Sequence, residues 1–157
     1  MSSDAVDPDE RLVALLPGER PQGRSGTAVL PGTLHNGSLR LSGQIATHGG
    51  ELIAIGRLGG EVGLELGAQC ARQAALNLLG RAQDVLGSLS RVRQVLKLTV
   101  FVASAPGFRD QHIVADSASQ VLTEVLGEAG RHARAAIGVA ELPLGSPVEV
   151  EATLAIE

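Results

Sequence analysis

The sequence predicts an α+β domain: a mixed six-stranded sheet with two amphipathic helices on one face. Three observations carry that reading. The C-terminal quarter alternates apolar and polar residues with a period of two, the repeat of a half-buried strand. Glu65 to Leu86 and about Arg109 to Leu126 instead repeat apolar residues three and four apart, the pattern of a helix with one buried stripe. Between them, Val95 to Ala103 is apolar on both alternating faces, which suits a strand inside a sheet. Several strands, a helix, a strand, a helix and two strands pack most economically with both helices on one side.

The chain divides into residues 1–26, a tail with a short helix and a linker, and residues 27–157, the domain. Asp7 is placed to cap a helix from Pro8 to Leu16, with proline at its first position. Prolines, glycines and charges from Pro17 to Gly26 mark a surface linker. Two short strands, about Thr27–Leu30 and Ser38–Ser42, flank His35-Asn36-Gly37, and Asn-Gly signals a tight turn. Leu52–Ile55 is a further strand. In the first long helix, Ala68, Ala71, Ala75, Leu78, Leu79, Ala82 and Leu86 form the buried stripe, and Gln73, Asn77, Arg81 and Asp84 the wet face. Gly87 ends it. In Val95–Ala103, Leu96, Leu98, Val100 and Val102 face one way; Val95, Lys97, Thr99 and Phe101 face the other. The second helix buries Val114, Ala118, Val121, Leu122 and Val125 and stops at Gly127 and Gly130.

Composition excludes several classes. Lys+Arg 13 against Asp+Glu 17 gives a net charge of −4, the wrong sign for a non-specific nucleic-acid surface. Phe101 and Phe108 are the only aromatic residues, so base-stacking platforms have almost nothing to be built from. A single cysteine, Cys70, allows no intramolecular disulfide and no cysteine-rich zinc site. His35, His48, His112 and His132 lack paired metal-ligand spacing and read mostly as surface residues. The scattered glycines form no phosphate-binding loop, and no Gly-x-Ser-x-Gly elbow is present. No leader-like or membrane-spanning run occurs, so the expectation is a cytoplasmic protein without a membrane partner.

The sharpest charged constellation lies at the C-terminus. Arg134 and Ala136 alternate against Ala135, Ile137 and Val139; after Leu142-Pro143-Leu144-Gly145-Ser146-Pro147, Val148, Val150, Ala152, Leu154 and Ile156 alternate against Glu149, Glu151 and Thr153. If the two strands pair, one guanidinium and two carboxylates share a face opposite Ile137, Val139, Val148 and Val150. That mixed face invites burial by association of subunits.

The run from Ala133-Arg134-Ala135-Ala136-Ile137-Gly138-Val139-Ala140-Glu141-Leu142-Pro143 to Val148-Glu149-Val150-Glu151, together with Ser42-Gly43-Gln44, resembles the RidA (YjgF) family. The resemblance runs in register from Ser42 to the C-terminus. It implies a chorismate-mutase-like fold, a homotrimer with sites at the subunit interfaces, and hydrolysis of reactive enamines and imines without metal or organic cofactor. By that resemblance Arg134 binds the carboxylate of a small metabolite and Glu149 activates water, with Ser42 and His112 in substrate-binding positions. Residue by residue there are also other readings. Arg134 can pair with Glu149 or Glu151, Glu149 can be an exposed strand residue or the partner of Lys97 or Arg134, and Ser42 can satisfy a strand end. The chain departs from active members in three ways. It has no tyrosine, Ala136 stands at the site cysteine, and His112 stands at the asparagine. It therefore looks closer to a divergent branch labelled endoribonuclease L-PSP-like. Three functions follow: an imine hydrolase, a keto-acid-binding protein of the same fold, and a ribonuclease, the last opposed by charge and composition.

Overall fold

The computed structural model describes residues 6–18 and 28–157. Helix α1 (Pro8–Leu15) leads into β1 (Gly32–His35), β2 (Ser38–Ile45), β3 (Thr47–His48) and β4 (Glu51–Leu52). Then come α2 (Leu64–Leu86), β5 (Val92–Ala103), α3 (Gln111–Leu126), β6 (Ala133–Val139) and β7 (Val148–Ile156). The main sheet has five strands in the order β1-β2-β7-β5-β6, and β3 and β4 form a separate two-stranded ladder. Every pairing in the main sheet is antiparallel except β5–β6. The sheet is therefore mixed, as expected, with one strand fewer.

Local chemistry explains most elements. Asp7 caps α1 by accepting from the Asp9 amide at 2.8 Å. The helix joins the body of the domain: Leu12 is buried, and Asp9 accepts from Gln83, Ser88 and the Leu89 amide at 2.5–2.9 Å. Most of the expected linker, residues 19–26, lies outside the described residues, as does Thr27. Ala28–Leu30 is not a strand, and β1 begins at Gly32. Asn36 (φ 48°) and Gly37 (φ 70°) make the β1–β2 hairpin turn; positive φ at both central residues is what a two-residue hairpin requires.

One face of the sheet carries Leu39, Leu41, Val95, Leu98, Val100, Val102, Val148, Val150 and Leu154, all buried with Leu78, Leu79, Val114, Val121 and Leu122 of α2 and α3. The expected wet face of α2 needs correction. Asn77 is 1% exposed, and its amide donates to the carbonyls of Ile45 and Thr47. Arg81 is also buried. Leu96 departs from its expected face as well. A register shift between Val95 and Lys97 interrupts the alternation, leaving Val95 buried and Leu96 exposed. One extra residue in a strand reverses which way its neighbours point.

The C-terminal strands are not neighbours. Strand β5 lies between β6 and β7. Arg134 is in register with Leu98, and Ala136 with Val100, so both lie on the helix face. Glu149 is in register with Phe101, and Glu151 with Thr99, so both lie on the open face. The shared face expected for Arg134, Ala136, Glu149, Glu151 and Thr153 is thus split by the intervening strand.

Candidate functional site

Two candidate half-sites result. The first is on the open face, where β2 meets β7. Leu41 pairs with Ala152 and Gln44 with Val150, so Ser42 and Gly43 together oppose Glu151 in a β-bulge. Gly43 lies against the Glu149 side chain, and a Cβ at residue 43 would overlap that carboxylate. Burial, and then the neighbouring Glu151 charge, push the Glu149 carboxyl above its ordinary value. A carboxyl shifted upward holds a proton more readily than an ordinary one, which suits a group that takes a proton from water. The Ser42 hydroxyl donates to the Leu30 carbonyl at 2.5 Å, so its proton is committed to the chain while its oxygen can still accept.

The second half-site is at the β6 edge, beneath the first turns of α3. Arg134 Nη1 donates to Asp116 Oδ1 at 2.9 Å and to Ser119 Oγ at 3.0 Å, and Nη2 donates to the His112 carbonyl at 3.3 Å. A guanidinium has five N–H donors. These contacts occupy both hydrogens of Nη1 and one of Nη2. The Nε hydrogen has no acceptor among the described residues and Nη2 makes one bond, so donors remain on the side-on Nε–Nη2 edge, the edge that can grip a carboxylate at two points. His112 thus meets Arg134 through its main chain, while its own side chain is exposed.

Sequence reading missed the groups that hold Arg134. Asp116 and Ser119 stand three residues apart on α3, and His132 stands two before Arg134 on the same strand line. His132 is partly buried rather than a free surface histidine. Its Nδ1 is 2.6 Å from the Gly130 carbonyl, and its Nε2 is 2.8 Å from Ser119 Oγ. A carbonyl only accepts, so Nδ1 carries the proton; in the neutral ring Nε2 then accepts from Ser119. The i,i+3 spacing of Asp116 and Ser119 was visible, but not the strand they would face.

Arg134 and Glu149 do not meet within one chain. They are two strand spacings apart laterally, roughly 10 Å, and point to opposite faces of the sheet. Cys70 takes no part in either half-site: it is fully buried, and burial pushes its thiol up to about 11. Among the described residues no group of three or more His, Cys, Asp or Glu is arranged to hold a metal ion, and no helix is long and apolar enough to cross a membrane.

Residues 25–153 match the family model described as "YjgF/chorismate mutase-like, putative endoribonuclease". Protein TCP17 of Trypanosoma cruzi is 44% identical over 115 residues, covering 73% of this chain and 72% of that protein. The solved structure of Atu1372 from Agrobacterium tumefaciens, a protein of unknown function, is 37% identical. It superimposes with a TM-score of 0.87 over 96% of this chain and 92% of that one. A protein from Shewanella oneidensis named "putative endoribonuclease" is 29% identical, with a TM-score of 0.88 over 96% and 99% of the two chains. With the mixed sheet, the helices on one of its faces and a family match across nearly the whole domain, this chain belongs to the YjgF/chorismate-mutase-like family.

Proposed function

We propose that the chain hydrolyses small carboxylate-bearing imines and enamines to a keto acid and ammonia, at sites shared between neighbouring copies of a homotrimer. One observation carries the reading. A guanidinium with a free two-point edge and a carboxyl with a raised proton affinity face away from each other within one chain, so a site using both needs two copies. Arg134 of one copy would hold the substrate carboxylate. Glu149 of the next would take a proton from water as the water oxygen bonds to the iminium carbon and the C=N π pair moves to nitrogen. In the carbinolamine, Glu149 gives that proton to the nitrogen and then takes the hydroxyl proton as the C=O bond forms and the C–N bond breaks, giving the keto acid and ammonia. Ser42 and the first turn of α3 at His112 line the two halves. An imine is already electrophilic once protonated, so the residues named are sufficient for this chemistry.

A second reading, binding of a keto acid without turnover, is favoured by Ala136, which supplies no thiol beside Arg134, and by the absence of any tyrosine. Cleavage of RNA, suggested by relatives' names, is opposed by the net charge of −4 and the lack of stacking residues. The deciding experiment is a coupled assay of keto-acid and ammonia release from freshly generated 2-aminoacrylate, with Arg134→Ala as control. Release that Arg134→Ala abolishes supports the hydrolase. A rate unchanged by that substitution overturns it, and saturable keto-acid binding without release selects the second reading.

A further inference from the structure

At the other end of β6 a cavity of about 220 Å³ opens among Ile55, Arg57, Glu61, Ala103, Glu141 and Leu142. Arg134 lies five residues back along the strand from Val139, roughly 16 Å away, so this space is separate from the Arg134 edge. Main-chain bonds build its walls. The Gly56 amide donates to the Gly145 carbonyl at 3.0 Å, and the Leu58 amide to the Ala103 carbonyl at 2.8 Å. Gly56, at φ 128°, leaves room for the Glu61 side chain to lie against it, and Gly145, at φ 82°, lies against Ile55. The cavity is therefore preformed, and it is small beside the roughly 300–1,000 Å³ of sites for larger ligands.

Its charges are arranged but not joined in an ion pair. The Glu61 carboxylate is fixed by the Arg57 amide at 2.9 Å, and main-chain hydrogen bonds, with a smaller contribution from the Arg57 charge, hold its carboxyl below the ordinary value. Yet no salt bridge joins the Arg57 guanidinium to Glu61 or Glu141, and neither that guanidinium nor the Glu141 carboxylate has a hydrogen-bond partner among the described residues. A simple anion would meet two carboxylates here, and a simple cation would meet the guanidinium. A molecule carrying both charges satisfies all three groups, and Ile55, Leu142 and Ala103 offer an apolar wall beside them.

We propose that this cavity binds an α-amino acid with an aliphatic side chain. Its carboxylate lies on Arg57, its ammonium between Glu61 and Glu141, and its side chain against Ile55 and Leu142. Titration calorimetry of the full chain with L-leucine tests this. The expected result is saturable binding that weakens at least tenfold in Arg57→Ala. The same loss is expected when leucine is replaced by 4-methylpentanoate, which lacks the ammonium, or by 3-methylbutylamine, which lacks the carboxylate. Arg134→Ala should leave leucine affinity unchanged. Should Arg57→Ala fail to fold, Glu141→Gln, at an exposed side chain, carries the same expectation of weakened binding. No leucine binding, or binding indifferent to Arg57 and Glu141, or binding lost with Arg134, overturns the proposal.

Discussion

Gly43 lies against Glu149 with no room for a side chain between them: a Cβ on residue 43 would stand 3.0 Å from the glutamate Cδ and closer still to its Oε1. Gly43 is not among the residues with positive φ, so the position calls for space rather than a left-handed backbone. The obstacle to a larger residue is the far end of a flexible chain, which can swing aside. Gly43→Ala is therefore expected to cost less than about 1 kcal/mol of stability, within the range of ordinary surface changes. It should nonetheless lower imine hydrolysis at least tenfold by displacing the base. Thermal unfolding and kcat/KM on the same preparation separate the two effects. A large stability loss, or an unchanged rate, would contradict this account of Gly43.

The raised proton affinity of Glu149 has a signed consequence for stability. Burial first, and Glu151 second, disfavour its charged form in the folded state. The native chain then holds a proton that the unfolded chain has released, so stability falls as pH rises from the ordinary value of 4.5 through the raised folded value. Glu149→Gln removes that penalty. The variant should unfold at a higher temperature than the parent at pH 7, and the difference should shrink to nothing below the ordinary carboxyl value. Melting curves from pH 4 to 8 at one protein concentration check it; a difference that grows on acidification has the wrong sign.

The free side-on edge of Arg134 depends on what holds the rest of its guanidinium. Lysine at 134 keeps the charge but loses the fork. Arg134→Lys is expected to lower kcat/KM about 100-fold, or roughly 3 kcal/mol, the scale of a charge-assisted two-point contact. Ser119→Ala should act more mildly, raising KM while Ser119→Thr restores much of the loss, because the hydroxyl links His132 to Nη1. Activity in Arg134→Lys equal to the parent would leave only charge at this position.

How much of this was legible depended on distance along the chain. The Asn36-Gly37 turn and the alternation of Val148 to Ile156 are local, and both appear where the sequence places them. The extra residue at Leu96 left no mark in composition, so the faces around it were misread. Alternation correctly separated Arg134 and Ala136 from Ile137, but period two says nothing about which strand lies alongside. The registers with β5, which lies between β6 and β7, set Arg134 beside Leu98 and Glu149 beside Phe101, on opposite faces. The contacts of His132 and Asn77 were hidden for the same reason: their partners lie on other elements, as with Asn77 and the carbonyls of Ile45 and Thr47.

That separation yields the sharpest test of assembly. Phe101 and Ile137 stand side by side on the open face with Glu149 opposite Phe101, and Ile137 is 41% exposed. Apolar residues around a half-buried carboxyl suit a subunit interface. In the proposed ring with head-to-tail contacts, Arg134 of one copy would face Glu149 of the next. Sedimentation equilibrium should give three times the 16.1 kDa chain mass, and Ile137→Asp should give folded, inactive monomers. Arg134→Ala and Glu149→Gln should each be inactive alone. Unfolded together and refolded at equal amounts, they should regain activity, because an interface pairing an intact Arg134 with an intact Glu149 arises wherever one variant precedes the other. Random assembly makes about one interface in four of that kind in a closed ring, so about a quarter of the parent rate should return. Mixed trimers that stay inactive would place both residues' work within single chains, where their opposite orientations leave Arg134 no part in the chemistry of Glu149.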